Sequence, residues 1–186
     1  MTNIASIDIG SNTARLLILE STGDQKFKLL VSKRNITRLG EGIDAQGKLT
    51  EHRMQTTLKV LSRFRQICLE NGDPPLFAVA TSAVREASNG QEFVRLAKKE
   101  TGIDIKIIPW EEEARLTLEG VYWKIPHENR RVITFDIGGG STEFILSEGE
   151  NINDFCSTSL GVVRLTEKFI TQHPVCLLYT SPSPRD

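Results

Sequence analysis

The chain has 186 residues, with 23 basic and 24 acidic side chains and a formal net charge of −1. This length suits one ordinary domain or two small lobes, and 39% hydrophobic with 25% charged residues excludes a disordered or collagen-like chain. The balanced charge argues against nucleic acid as a partner, and no apolar run approaches the roughly 18 residues that would predict a membrane span.

The first 124 residues alternate strand and helix patterns, which predicts an α/β fold rather than a helix bundle or a β-sandwich. Apolar segments typical of strands lie at residues 4–9, 14–19, 27–31, 76–80 and 103–108. Helical spacing occupies residues 51–71, 91–101 and 111–121. Thr50 is predicted to cap the first of these helices, and Arg85 lies on a short helical turn that Thr81-Ser82 open. A glycine-containing loop is predicted at residues 34–48.

Beyond a polar break at residues 126–129, the opening pattern returns. Strand patterns lie at residues 131–135, 142–146 and 152–158, followed by helical spacing over residues 161–172. We therefore predict a first lobe over residues 1–124 and the start of a second lobe over residues 125–175. Because one helix alone is available to cover its sheet, the second lobe is predicted to be incomplete and of low stability. Residues 176–186 lack periodicity and end in Ser and Pro, which predicts a disordered or foreign tail.

The residues that point to a chemical function lie in an internal repeat. Residues 6–18 align without gaps on residues 134–146, and each copy consists of a strand, an aspartate, a glycine turn and a second strand. One copy alone would be an ordinary hairpin. Glycine turns let backbone amides approach phosphates closely, and an aspartate beside phosphates needs a cation such as Mg²⁺ between them. The repeat therefore predicts two hairpins that close on one phosphate chain.

Four segments in collinear order extend this interpretation. They read DIGSNT from Asp8, ATSAVREA from Ala80, EEEARL from Glu111 and DIGGGSTE from Asp136. Together they resemble the exopolyphosphatase and guanosine pentaphosphate phosphohydrolase family, within the actin, Hsp70-chaperone and sugar-kinase superfamily. The likeness covers about residues 3–172. It implies a ribonuclease-H-like, two-lobed actin-like ATPase fold whose second lobe is truncated in this chain.

The resemblance implies Mg²⁺-dependent hydrolysis of the terminal phosphoanhydride of inorganic polyphosphate or of guanosine pentaphosphate. On the matching positions, Glu113 is the catalytic base that activates water. Asp136 and Glu143 hold the metal, directly or through waters, and Asp8 is the third candidate ligand, facing the same cleft. The implied phosphate-binding residues are Gly10, Ser11, Asn12, Arg38, Arg85, Gly138, Gly139, Gly140 and Ser141.

One departure from the family pattern lies next to the implied base. Pro109-Trp110 stand where the family more often has Ser-Gly, which changes the loop that presents Glu113. Three alternatives stay open: a sugar or acetate kinase of the same superfamily, an Hsp70-like ATPase module, and an inactive fragment. The sequence does not choose between polyphosphate and guanosine pentaphosphate.

The cysteines bear on compartment rather than on catalysis. Cys68, Cys156 and Cys176 are widely spaced and form no CxxC pair. This argues against a zinc or iron–sulfur site and favours a reducing, cytoplasmic compartment. The resemblance allows a homodimer of the full-length form.

Overall fold

A five-stranded mixed sheet forms the first lobe, with strand order β3-β2-β1-β4-β5. The computed structural model describes residues 2–23, 26–123, 125 and 130–170, so the predictions for residues 126–129 and 176–186 lie outside the described residues. The first three strands are antiparallel, whereas the last two run parallel to the first. The strands are β1 (Thr2–Ile9), β2 (Thr13–Gly23), β3 (Lys26–Ile36), β4 (Leu76–Ala80) and β5 (Ile105–Ile107).

Five helices accompany these strands along the chain. Thr50 Oγ1 accepts a hydrogen bond from Arg53 N at 3.3 Å, which confirms the predicted N-cap of the long helix. β3 continues to Ile36, because it pairs with β2 along its length, so the predicted loop at residues 34–48 is shorter and holds one helical turn. The helices are α1 (Ile43–Gln46), α2 (Glu51–Glu70), α3 (Ser82–Glu86), α4 (Gly90–Thr101) and α5 (Trp110–Tyr122).

The hydrophobic core lies on one face of this sheet. Alternate residues of β1 and β2 are buried, as period-two strands require when one face is covered. Leu58, Leu61 and Phe64 of α2 and Phe93 of α4 are 0–2% exposed and belong to the same core cluster. Asp8 and Arg15 lie on the opposite face of these two strands, where they border a cavity described below. No helix in the described part of the chain is long and apolar enough to span a membrane.

A three-stranded antiparallel sheet begins the second lobe, with strand order β6-β7-β8. Helix α5, which the sequence assigned to the first lobe, contacts this sheet: Tyr122 Oη and Ser147 Oγ lie 2.8 Å apart. The predicted helix at residues 161–172 is present and ends at Phe169, while residues 171–172 lie outside the described residues. The elements are β6 (Arg131–Ile137), β7 (Thr142–Glu148), β8 (Asn151–Thr158) and α6 (Val162–Phe169).

Helix α6 ties the two lobes together through charged groups. The Glu167 carboxylate accepts a hydrogen bond from Gly42 N at 3.0 Å. Arg164 is 13% exposed, lies 3.4 Å from Asp44 and also pairs with Glu86. Gly42 is the N-cap of α1, Asp44 lies in α1 and Glu86 is the last residue of α3. The second lobe therefore contacts the first through a hydrogen bond and two ion pairs.

We expect the second sheet to open more readily than the first. Among the described residues beyond 130, Ile145 is the one fully buried hydrophobic side chain, whereas Ile133 and Phe135 are 64% and 62% exposed. Local opening is easiest where little apolar surface is buried. Native-state hydrogen exchange measured by mass spectrometry should therefore show faster exchange in β6–β8 than in β1 and β4. Equal protection of both sheets would contradict this expectation.

Candidate active site

The two copies of the repeat close in the same way. Gly10 N donates to Thr13 O at 3.0 Å, and Gly138 N donates to Ser141 O at 2.9 Å. These bonds join equivalent positions of the two copies. The gapless sequence alignment therefore corresponds to two equivalent hairpin turns in space.

The two turns pack directly against each other across the cleft. A Cβ atom on Gly139 would lie 2.8 Å from Asn12 N, and one on Gly140 would lie 2.6 Å from the Oγ atoms of Ser11 and Ser82. Real Cβ atoms do not approach other atoms this closely, so glycine is required by the contact between the lobes.

A cavity of about 230 Å³ lies between the turns. It is lined by both hairpins, by the start of α3 and by the start of α5. The predicted site residues among its lining are Asp8, Gly10, Ser11, Asn12, Glu113, Asp136, Gly138, Gly139, Gly140, Ser141 and Glu143. Segments more than 100 residues apart in the sequence thus meet around one small space.

Glu113 is presented to the cavity by the first turn of α5. Ala114 and Leu118 are buried and anchor the helix, while the Glu113 side chain is 17% exposed. Arg85 Nη1 donates to Glu113 Oε2 at 2.9 Å. Burial raises the pKa of Glu113 above its ordinary value, and the charges of Glu143 and Asp8 add to the rise; Arg85 opposes it. A partly buried carboxylate held by one arginine suits a general base.

Asp8 lies on β1, directly opposite Arg15 on β2. The Asp8 side chain borders the open cavity, but the surrounding protein removes part of its hydration. This desolvation raises the pKa of Asp8. Arg15 lowers that pKa, and the charge of Asp136 on the other hairpin raises it. The two repeated aspartates are therefore close enough to repel each other.

Asp8 and Asp136 fit the ligand preference of a magnesium ion, whereas Glu143 departs from the predicted set of metal ligands. The described residues contain no group of three His, Cys, Asp or Glu side chains gathered as metal ligands. Glu143 Oε1 instead accepts a hydrogen bond from Ser157 Oγ at 2.9 Å. Mg²⁺ is usually held by one or two carboxylates together with waters and phosphate oxygens, which the facing Asp8 and Asp136 can provide.

The two arginines predicted to bind phosphate do not line the cavity. Arg85 is turned to the Glu113 carboxylate and to the Ile108 carbonyl oxygen, 2.8 Å away. Arg38 has a left-handed backbone with φ 50° and lies 3.9 Å from Glu41, beside a neighbouring groove that Asn12 also lines. Neither arginine touches the space between the turns in this conformation.

Two other arginines line the cavity and were not predicted from the sequence. Arg15 on β2 lies opposite Asp8 on β1 and opposite Arg34 on β3. The three side chains therefore share one face of the sheet. Thr81 and Ser82 also line the cavity. The position of Arg15 could have been predicted from the sequence. A hairpin that closes between Gly10 and Thr13 places Asp8 opposite Arg15.

Comparison with known proteins shows the family of this chain. The model of the Ppx/GppA phosphatase family matches residues 17–179. The chain belongs to the Ppx/GppA phosphatase family. Exopolyphosphatase 1 of Mycobacterium tuberculosis is 32% identical over 168 residues, which are 90% of this chain and 49% of that protein.

Solved structures of the Ppx/GppA family share the fold. An exopolyphosphatase from Cytophaga hutchinsonii has a TM-score of 0.87 at 36% identity, covering 94% of this chain and 56% of that one. The Aquifex aeolicus family member has a TM-score of 0.76 at 34% identity, covering 96% and 58%. The predicted actin-like ATPase fold is confirmed. The chain spans about half the length of the exopolyphosphatases that it matches.

Proposed function

We propose that this member of the Ppx/GppA family hydrolyses the terminal phosphoanhydride of inorganic polyphosphate in a Mg²⁺-dependent reaction. The observation that carries the proposal is that both glycine turns and the Glu113 carboxylate line one cavity. The 32–36% identity to exopolyphosphatases over most of this chain supports the same assignment.

In the proposed reaction, Glu113 accepts a proton from a water molecule as the water oxygen attacks the terminal phosphorus. The bond from this phosphorus to the bridging oxygen breaks, which releases orthophosphate and leaves a chain that is one phosphate shorter. Arg85 orients the carboxylate through its hydrogen bond to Oε2. The hydroxyl groups and backbone amides at residues 11–13 and 139–141 hold the phosphate oxygens, as small residues around an anion do. When bound between Asp8 and Asp136, Mg²⁺ would supply positive charge to the phosphate chain.

The size of the cavity favours a phosphate chain over a whole nucleotide. Pockets for drug-sized ligands begin at roughly 300 Å³, and this cavity measures about 230 Å³. A nucleoside would have to lie outside it, and a groove of about 470 Å³ that Asn12 and Val162 share with the cavity offers such a place. Guanosine pentaphosphate is therefore the second candidate substrate.

A phosphate-release assay distinguishes these substrates from the alternatives. The purified chain is incubated with Mg²⁺ and either polyphosphate, guanosine pentaphosphate, or ATP with and without a sugar or acetate. Orthophosphate release from polyphosphate in the first reaction supports the proposal. Phosphate transfer to a sugar or acetate would identify a kinase, and tight ATP binding with little polyphosphate hydrolysis would identify a chaperone-like ATPase.

Removing negative charge from the carboxylates that line the cavity should raise the Mg²⁺ concentration needed for half-maximal activity. Asp136→Asn removes a proposed metal ligand, and Glu143→Gln removes the charge directly opposite it on the neighbouring strand. Glu148→Gln is the matched control, since Glu148 lies at the far end of the same strand as Glu143 and is 48% exposed. Magnesium titrations of initial rates check this, and an unchanged requirement in both variants would place the metal elsewhere.

A further inference from the structure

Trp110 is the first residue of α5 and lies three residues before Glu113, so both side chains are on neighbouring positions of the helix surface. The guanidinium carbon of Arg85 lies 3.5 Å from the centre of the Trp110 ring. At this distance the cation is attracted by the face of the ring, and a planar guanidinium stacks on it.

The remaining contacts of Arg85 leave much of its guanidinium group without partners. Nη1 donates both to Glu113 Oε2, at 2.9 Å, and to Ile108 O, at 2.8 Å. Nε and Nη2 are buried and have no hydrogen-bond partner among the described residues. One nitrogen therefore makes both polar contacts, and the indole ring packs against the guanidinium group.

The acceptor positions are fixed by the fold, whereas the arginine is not. Ile108 N donates to Ala80 O at 3.1 Å, which attaches the Ile108 segment to the end of β4. Arg85 stands on α3, a helix of five residues, and its side chain has several rotatable bonds. Without the ring, the guanidinium could leave a carboxylate that is 17% exposed and needs a partner.

We propose that Trp110 is a positioning residue, whose ring holds the Arg85 guanidinium against Glu113 and thereby fixes the carboxylate that activates water. The inference rests on the proposed function, because it assigns Trp110 to the reaction placed on Glu113.

Steady-state kinetics with polyphosphate separate positioning from packing. Trp110→Ala should lower kcat by about tenfold, since a displaced catalytic group loses rate steeply. KM should stay nearly unchanged, since neither Trp110 nor Arg85 lines the cavity. Trp110→Phe keeps an aromatic face and should restore most of kcat. Trp123→Ala, at the other end of α5, is the matched control and should leave kcat unchanged.

A double-mutant cycle identifies the route of the effect. If Trp110 acts through Arg85, then Trp110→Ala should cause no further loss of kcat in an Arg85→Ala background. Independent, multiplying losses would overturn the proposal. So would Trp110→Phe being as impaired as Trp110→Ala, or a loss that appears in KM alone.

Fluorescence tests the same linkage without turnover, so its result does not depend on the substrate assignment. In a Trp123→Phe background, Trp110 is the one tryptophan of the sequence. Glu113→Gln should change its emission, because Arg85 loses a charged partner and shifts on the ring. The change should vanish when Arg85 is replaced by alanine. An equal change in both backgrounds, or none with Arg85 present, would overturn the proposal even if the chain hydrolyses polyphosphate.

Discussion

Glu113→Gln should lower the rate of phosphate release from polyphosphate by roughly 10²–10⁴-fold, the usual contribution of a general base. The amide keeps the shape of the side chain but does not take a proton from water. Binding of tripolyphosphate, measured by calorimetry, should remain close to that of the wild type. Glu111→Gln is the matched control, because Glu111 lies in the same helical turn, is exposed and does not line the cavity.

The pH dependence of polyphosphate hydrolysis should report the ionisation of the Glu113 carboxylate. Glu113 must be deprotonated to act, and burial raises its pKa. The value of kcat/KM should therefore fall with decreasing pH at a point above the ordinary glutamate pKa of about 4.3. Arg85 opposes the rise, so Arg85→Ala should move this acid limb to still higher pH. Turnover of Glu113→Gln at the wild-type rate would remove Glu113 from its assigned role.

Gly139→Ala should reduce activity on the order of 10²-fold, the loss expected when groups move by about 1 Å. Its Cβ atom would lie 2.8 Å from Asn12 N, so the two phosphate-binding turns would have to separate. The measurement is the rate of phosphate release alongside urea unfolding, which shows whether the lobes remain folded.

The control for this substitution is Gly120→Ala on α5, where an added Cβ meets nothing within 4 Å. Alanine is favoured over glycine inside a helix by roughly 0.8–1.0 kcal/mol. Gly120→Ala should therefore keep its activity and unfold at slightly higher urea. Full activity of Gly139→Ala would show that the close approach of the turns is not needed for the reaction.

The features that local sequence determines were predicted well. The bounds of β4 match the predicted apolar run at residues 76–80, and the duplicated glycine turns meet as expected. A short apolar run and a glycine turn are specified by neighbouring residues, so they are visible without knowledge of distant contacts.

Features that depend on distant partners were predicted less completely. Arg85 was expected on phosphate, but its position is determined by Trp110 and Glu113, which lie more than 20 residues away. Arg34 was missed because β3 was predicted to end at residue 31, and its extension depends on pairing with β2. Helix α5 packs on the second sheet, a choice that its own amphipathic pattern does not reveal.

Helix α5 connects the proposed base to both lobes. Its first turn places Glu113 between hairpins from both lobes, and its last turn contacts the second sheet through Tyr122. Any motion between the lobes would therefore change the distance between the proposed base and the phosphate-binding turns. The reaction depends on close positioning of the base and the phosphate. The small cavity and the tight contacts of its glycines are consistent with that requirement.

A crystal structure of the Glu113→Gln variant with Mg²⁺ and tripolyphosphate would show directly whether the two glycine turns and residue 113 form one catalytic site. We expect the terminal phosphate between residues 10–12 and residues 138–141, with Mg²⁺ near Asp8 and Asp136. A water molecule should lie between the substituted amide at position 113 and the terminal phosphorus. Binding of the phosphate chain outside this cavity, or with its terminal phosphorus too far from residue 113 for one water molecule to bridge them, would show that hydrolysis does not take place between the two turns.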